Sequence, residues 1–188
     1  GIAITADGNL MTRTANLDLT VADMQLTTPA MAPTTFRMAL QTRLSGNQLH
    51  IKGLDIVSEA MRLHLSGSAT DLFTVPHIDA EVAIGTELSQ LAATFRLAGD
   101  FQGPLTTRLL LSGAVNDLHA QLQADLKNGR IAGRSVDHGK LRMRLQDRQV
   151  FVDTVGLQLA DGHVDLNGHA DLRGAYASGQ ELLPNNLE

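Results

Sequence analysis

The stretch "DGHVDLNGHAD" sets His163, Asp165, His169 and Asp171 at even spacing, the side-chain types that bind a transition metal. On an extended strand these four share one face, with successive same-face neighbours about 7 Å apart, so His163 and Asp165 need a ligand from a second strand to close a metal site. The competing reading is a solvated face of alternating polar residues, which requires no added ligand. Asp153, Asp161 and Asp171 are the remaining acid–base candidates, and they need a cleft that brings two of them together. Asp161 and Asp7 each precede glycine and read as turn residues. No serine elbow, zinc-protease helix, phosphate loop or dinucleotide fingerprint occurs, so the sequence points away from an enzyme, with no catalytic residue and no cofactor or metal expected.

Composition narrows the classes further. The net charge is −5 over 188 residues, and the densest basic pair, Arg142 and Arg144, alternates with apolar residues as the wet side of a strand would. No nucleic-acid partner is therefore expected. Cysteine is absent, which removes thiol chemistry and fits an oxidising compartment. The hydrophobic share is 43% but aromatics are 3%, so any dry surface is aliphatic. No apolar run reaches the roughly 18 residues of a membrane span. The chain opens at Gly1 and ends in Leu187-Glu188, which reads as a fragment with a vector-derived end.

The elements that would carry these residues follow a period of two. In "PLTTRLLLSGAVN" Leu105, Leu109, Leu111 and Val115 share one parity, broken by Leu110, and after Asn116-Asp117 the dry set becomes Leu118, Ala120, Leu122, Ala124 and Leu126. Asn128-Gly129 reads as a tight hairpin turn, with Ile131 opening the next strand. Leu141, Met143 and Leu145, then Val150 and Val152, then Leu157 and Leu159, continue the grammar to a turn at Asp161-Gly162, followed by Val164, Leu166, Ala170 and Leu172. Near the start Phe36, Met38, Leu40 and Leu44 lead through Gly46-Asn47 into Leu49 and Ile51, and Asp7-Gly8 reads as another hairpin. One segment departs: in "TELSQLAATF" Leu88, Leu91, Ala92 and Phe95 fall at helical spacing, predicting a short helix near 87–95 capped by Thr86.

The grammar also repeats. Residues 47–72 align with 148–172 with one gap, placing Gln48 on Gln149, Leu65 on Leu166, Gly67 on Gly168 and Ala69 on Ala170, and "LSGAVNDL" at 111–118 reads as a third copy of the Leu-x-Gly ending. Repeat-like units of about 36–72, 95–133 and 141–172 result, inside one repetitive segment spanning 1–176, with 177–188 as a frayed tail. Gly67, Gly113 and Gly168 fall mid-strand on the dry parity, where glycine weakens a strand unless the sheet bends or another backbone comes close. They are expected to occupy equivalent bends.

The phrases "FRLAGDFQGPLTTRLLLSGAVNDLHAQLQADLKNGRIAG" (95–133) and "LRMRLQDRQVFVDTVGLQLADGHVDLNGHADL" (141–172) resemble the TamB/AsmA-like family of envelope proteins, whose repeats string together Leu-x-Gly and Ser-Gly strand endings. The resemblance covers most of 36–172. It implies an all-β, elongated antiparallel sheet curved into a U-shaped groove, the β-taco or repeating β-groove. It further implies a non-enzymatic part of an inner-membrane-anchored protein crossing the periplasm of a Gram-negative envelope. Such a translocation and assembly module is associated with phospholipid transport and, through a BamA-type outer-membrane partner, with outer-membrane biogenesis. On this reading Leu109, Leu111, Leu122, Leu126, Leu141, Met143, Leu157 and Leu166 line the groove against phospholipid acyl chains, while the anchor and the partner-binding parts lie elsewhere. Burial of an acyl chain contributes about 0.8 kcal/mol per methylene, roughly 10 kcal/mol for a dozen before ordering costs, so an aliphatic lining suffices. Two readings of the same pattern stay open: a scaffold or chaperone-like module offering sheet edges, and a closed β-sandwich of adhesin type whose apolar face is its core.

Overall fold

The computed structural model describes residues 1–9, 11, 13–28 and 31–171. The expected tail at 177–188, and Leu172, lie outside the described residues. The all-β expectation holds: the described residues form twelve strands in one antiparallel sheet that does not close, and one short helix. The strands are β1 (Ile2–Asn9), β2 (Thr14–Thr28), β3 (Met31–Ser45), β4 (Gln48–Ser58), β5 (Met61–Thr70) and β6 (His77–Glu87). After the helix α1 (Leu88–Thr94) come β7 (Phe101–Gln102), β8 (Pro104–Ala114), β9 (Asp117–Ile131), β10 (Arg134–Gln146), β11 (Gln149–Leu159) and β12 (Gly162–Asp171). Strands neighbour one another in chain order throughout, except that the two-residue β7 pairs with β9 alongside β8. Eleven strands in file at about 4.8 Å spacing give an arc of about 50 Å.

Hairpin turns have the chemistry their length demands. Ala132-Gly133 and Asp147-Arg148 carry positive φ at both central residues (50° and 80°; 52° and 60°), the twist that joins strands through two residues. Gly46 turns likewise at φ 59°. Two expected turns are not turns. Asn128-Gly129 lies inside β9, at the point where that strand exchanges β8 for β7 as its partner. A Cβ on Gly129 would come 2.8 Å from the Gln102 carbonyl, so this glycine marks close passage of backbone and Ile131 closes β9 rather than opening a strand. Asp7-Gly8 likewise lies within β1, where Asp7 faces Asn16 and accepts a hydrogen bond from its amide at 3.1 Å. Val115, expected on the dry parity, falls in the two-residue β8–β9 turn and is 55% exposed.

The helix forms within the expected segment, but Thr86 does not cap it. Glu87 holds the N-cap position with no side-chain cap bond. The Thr86 hydroxyl donates instead to the Ala60 carbonyl at 2.5 Å, and the Glu87 carboxylate accepts from the Gly103 amide at 2.5 Å. The first bond ties the end of β6 to the β4–β5 turn, and the second ties it to the start of β8. α1 packs against β3, β6 and β7, reaching across the ends of β4 and β5, and buries Ala92.

Candidate functional site: the apolar face and its rim

The residues singled out as lining fall on one face because every ladder joins dry parity to dry parity. Leu109 faces Leu122, Leu122 faces Met143 and Met143 faces Val152. One step along, Leu111 faces Ala120, Ala124 faces Leu141 and Leu141 faces Val155, which faces Leu166. Leu105 faces Leu126, Leu126 faces Gly139, Gly139 faces Leu157, and Leu157 faces Val164. Towards the other edge the rows continue through Val82, Leu65, Leu54, Leu40 and Leu19 to Ile4.

Bulges keep this face dry, among them one in each of β2, β4 and β11. Without the extra residues at Ala22-Asp23 in β2, Lys52-Gly53 in β4 and Asp153-Thr154 in β11, the parity of each strand would invert relative to its neighbours halfway along. Each insertion returns the next apolar residue, Met24, Leu54 or Val155, to the same side as Val21, Ile51 and Val152. The sequence signal is a slip in alternation, visible in "HIKGLDI" and "FVDTVGL".

Among the described residues no second sheet covers the face. Among the described residues the buried apolar side chains are Val21, Ala60, Ala92, Leu126 and Val136, while the rest of the central rows stay half-buried. At the edges Ile2 and Ile4 are 70% and 65% exposed, and Leu166 is 60% exposed. A sandwich core would bury whole rows; this surface is an open trough, as expected, and the alternative of a closed sandwich is not the architecture of the described residues.

The glycines divide. Gly67 pairs with Ile51 and Gly168 with Val152, each beside the bulge of its neighbouring strand, so they are equivalent. Gly113 is not: it is the penultimate residue of β8, with φ 109°, and a Cβ there would lie 2.7 Å from the Asp117 carbonyl. Its strand turns back after one more residue, whereas β5 continues three residues beyond Gly67.

Opposite the trough the sheet carries charge. Arg108 meets Glu81 at 2.7 Å, Arg144 meets Asp153 at 2.7 Å, His64 meets Asp55 at 2.8 Å and Arg130 meets Asp100 at 3.3 Å. The hydrogen-bonded Arg144 guanidinium holds the Asp153 carboxyl below its ordinary range, and Arg144 also lies over the Phe151 ring. Asp153 is thus committed to a structural pair, and Asp161 sits in the β11–β12 turn. His163 and Asp165 approach to 3.9 Å on the exposed face, while His169 stacks on Phe151. A set missed from sequence is Asp117, His119 and Asp147, whose ligand atoms lie within 4.8 Å of one another where the β8–β9 and β10–β11 turns adjoin. Only the Asp-x-His spacing of the first two was there to be read.

One cavity, of about 670 Å³, opens at the rim beneath α1, where the β4–β5 turn meets the ends of β3 and β6. Its wall includes Phe36 and Met61 from the dry face and Arg37 and Arg62 from the polar face.

No family model, curated protein or solved structure matches the chain.

Proposed function

We propose that the chain is a non-enzymatic segment of a periplasm-spanning envelope protein whose trough carries phospholipid acyl chains between the inner and outer membranes. The observation that carries this reading is an apolar face whose central row runs unbroken over eleven strands, kept in phase by bulges and left without a cover among the described residues. Exposed aliphatic surface of this extent is costly unless something apolar occupies it, and an acyl chain regains about 0.8 kcal/mol per methylene with no directional contact required. The aliphatic lining supports sliding, since no residue pattern in it fixes one position.

The test uses Leu111→Asp and Leu122→Asp in the centre of the trough. In an open trough the carboxylate keeps part of its water, so melting temperature should change little, while crosslinking to a phospholipid with a photoreactive acyl chain should drop severalfold. Unfolding of both variants, together with no crosslink to the parent, would overturn the reading, because that is how a dry core behaves.

A second reading, a scaffold for outer-membrane strands, is favoured by the edges. Among the described residues β1 and β12 pair on one side only, and every residue of β1 is exposed, which suits strand addition. Concentration-dependent association blocked by a proline in β1 would support it.

A further inference from the structure

The rim cavity differs from the trough in that it carries unspent charge of both signs. Arg37 in β3 and Arg62 in β5 both lie opposite Val57 of β4, so the two guanidiniums rise on either side of one small side chain. Their backbones are two strands apart, about 10 Å, a span that two arginine side chains close over a single phosphate. The same cavity is lined by Glu59, in the β4–β5 turn, and by Asp23, in the β2 bulge beside Arg37 at φ 58°. Among the described residues none of these four has a hydrogen-bond or ion-pair partner, although cations and anions share one wall. Glu87, which also lines the cavity, is committed to the Gly103 amide.

Two cations and two carboxylates around one cavity, none of them paired with another, suit a ligand that itself bears both charges. The wall also contains Phe36 and Met61, the last dry-face residues of their rows before the rim, so such a ligand can extend an apolar tail into the trough. We propose that this cavity binds the head group of a zwitterionic phospholipid, its phosphate held by Arg37 and Arg62 and its ammonium by Glu59 and Asp23. This rests on the conduit reading and adds selectivity to it: the trough accepts any acyl chain, and the rim chooses the head group at which a lipid enters or leaves.

The experiment presents the protein with micelles containing phosphatidylethanolamine or phosphatidylglycerol of identical acyl chains, each with a photoreactive tail. The parent should capture phosphatidylethanolamine severalfold more than phosphatidylglycerol. The double variant Arg37→Gln/Arg62→Gln should lose about tenfold in capture of both, since both carry phosphate. Asp23→Asn/Glu59→Gln should lose phosphatidylethanolamine and gain phosphatidylglycerol, erasing the preference; asparagine tolerates the left-handed backbone of Asp23. Equal capture of both lipids by the parent, with crosslinking intact, overturns the head-group site and leaves the conduit standing. Capture of neither lipid overturns both.

Discussion

The hairpins β4–β5 and β11–β12 are one structure in two surroundings. Gln48 corresponds to Gln149, Ile51 to Val152, Leu54 to Val155, Leu65 to Leu166 and Gly67 to Gly168, all at the same offset and with the bulge in the same place. The likeness extends one strand back, since Arg43 faces His50 as Arg144 faces Phe151. Yet Leu65 is half-buried and Leu166 is 60% exposed. A Cβ on Gly67 would collide with the Asp79 carbonyl and Ala80 of β6, whereas one on Gly168 meets nothing within 4 Å. The difference lies in the neighbour: β6 covers the far edge of β5, and no described strand covers that of β12. Local sequence sets register and bulge, and the adjacent strand sets burial, as expected where each unit stacks on the next.

The largest effect should come from valine at the paired glycines. Gly67→Val forces β5 and β6 apart and should cost about 3 kcal/mol, the upper range for overpacking. Gly168→Val should stay within about 0.5 kcal/mol, since it fills open space on a strand that favours β-branched residues. Denaturant melts of the two variants measure the gap directly, and equal losses would mean that β12 is covered after all.

A smaller contrast tests the leucines. Leu65 sits between Leu54 and Val82, while among the described residues Leu166 faces Val155 alone. Leu65→Ala should cost about 2 kcal/mol and Leu166→Ala under about 1 kcal/mol, because the exposed side chain has less transfer free energy to lose. If added phospholipid raises the melting temperature of the parent and restores the difference between Leu166 and its alanine variant, lipid is standing in for the missing neighbour strand.

Much of this was legible from residue alternation, and the failures have physical causes. The strands, the position of α1, the shared face of the eight residues named for the groove and the equivalence of Gly67 with Gly168 follow from period and offset, whereas period alone left an open groove and a closed sandwich undivided. Asn128-Gly129 misled because its composition is that of a turn: Asn128 does adopt φ 47°, but the positive φ serves a kink beside β7 rather than a reversal. Gly113 misled because "LSG" fixes three residues and says nothing about how far the strand continues. The charges around the rim cavity were invisible, since Asp23, Arg37, Glu59 and Arg62 come from four elements that only the register brings together.

The two bulges differ in one respect that pH can expose. In β11 the bulge residue Asp153 is gripped by Arg144 through two hydrogen bonds of 2.7 Å, whereas in β4 the corresponding pair is Lys52-Gly53, without a carboxylate. The hydrogen bonds to Arg144 are the main reason the Asp153 carboxyl titrates below its ordinary range; desolvation opposes them, and the guanidinium charge adds a lesser lowering. A depressed value in the folded state means that the contribution is complete above the unfolded carboxylate value, about 3.9, and disappears as pH falls through the lower folded value. Acid should therefore loosen the β11 bulge and leave that of β4 unchanged. The effect is small because both partners are at the surface, where solvent screens the pair. Carboxyl NMR should place the Asp153 midpoint below that of an unpaired aspartate, and Arg144→Gln should return it to the ordinary range. Amide exchange near Thr154 should rise in acid in the parent and be acid-independent in Asp153→Asn, while exchange near Leu54 stays flat in all three proteins. A matching rise near Leu54 would show that acid opens the sheet as a whole, and the bulge pair would then have no separate role.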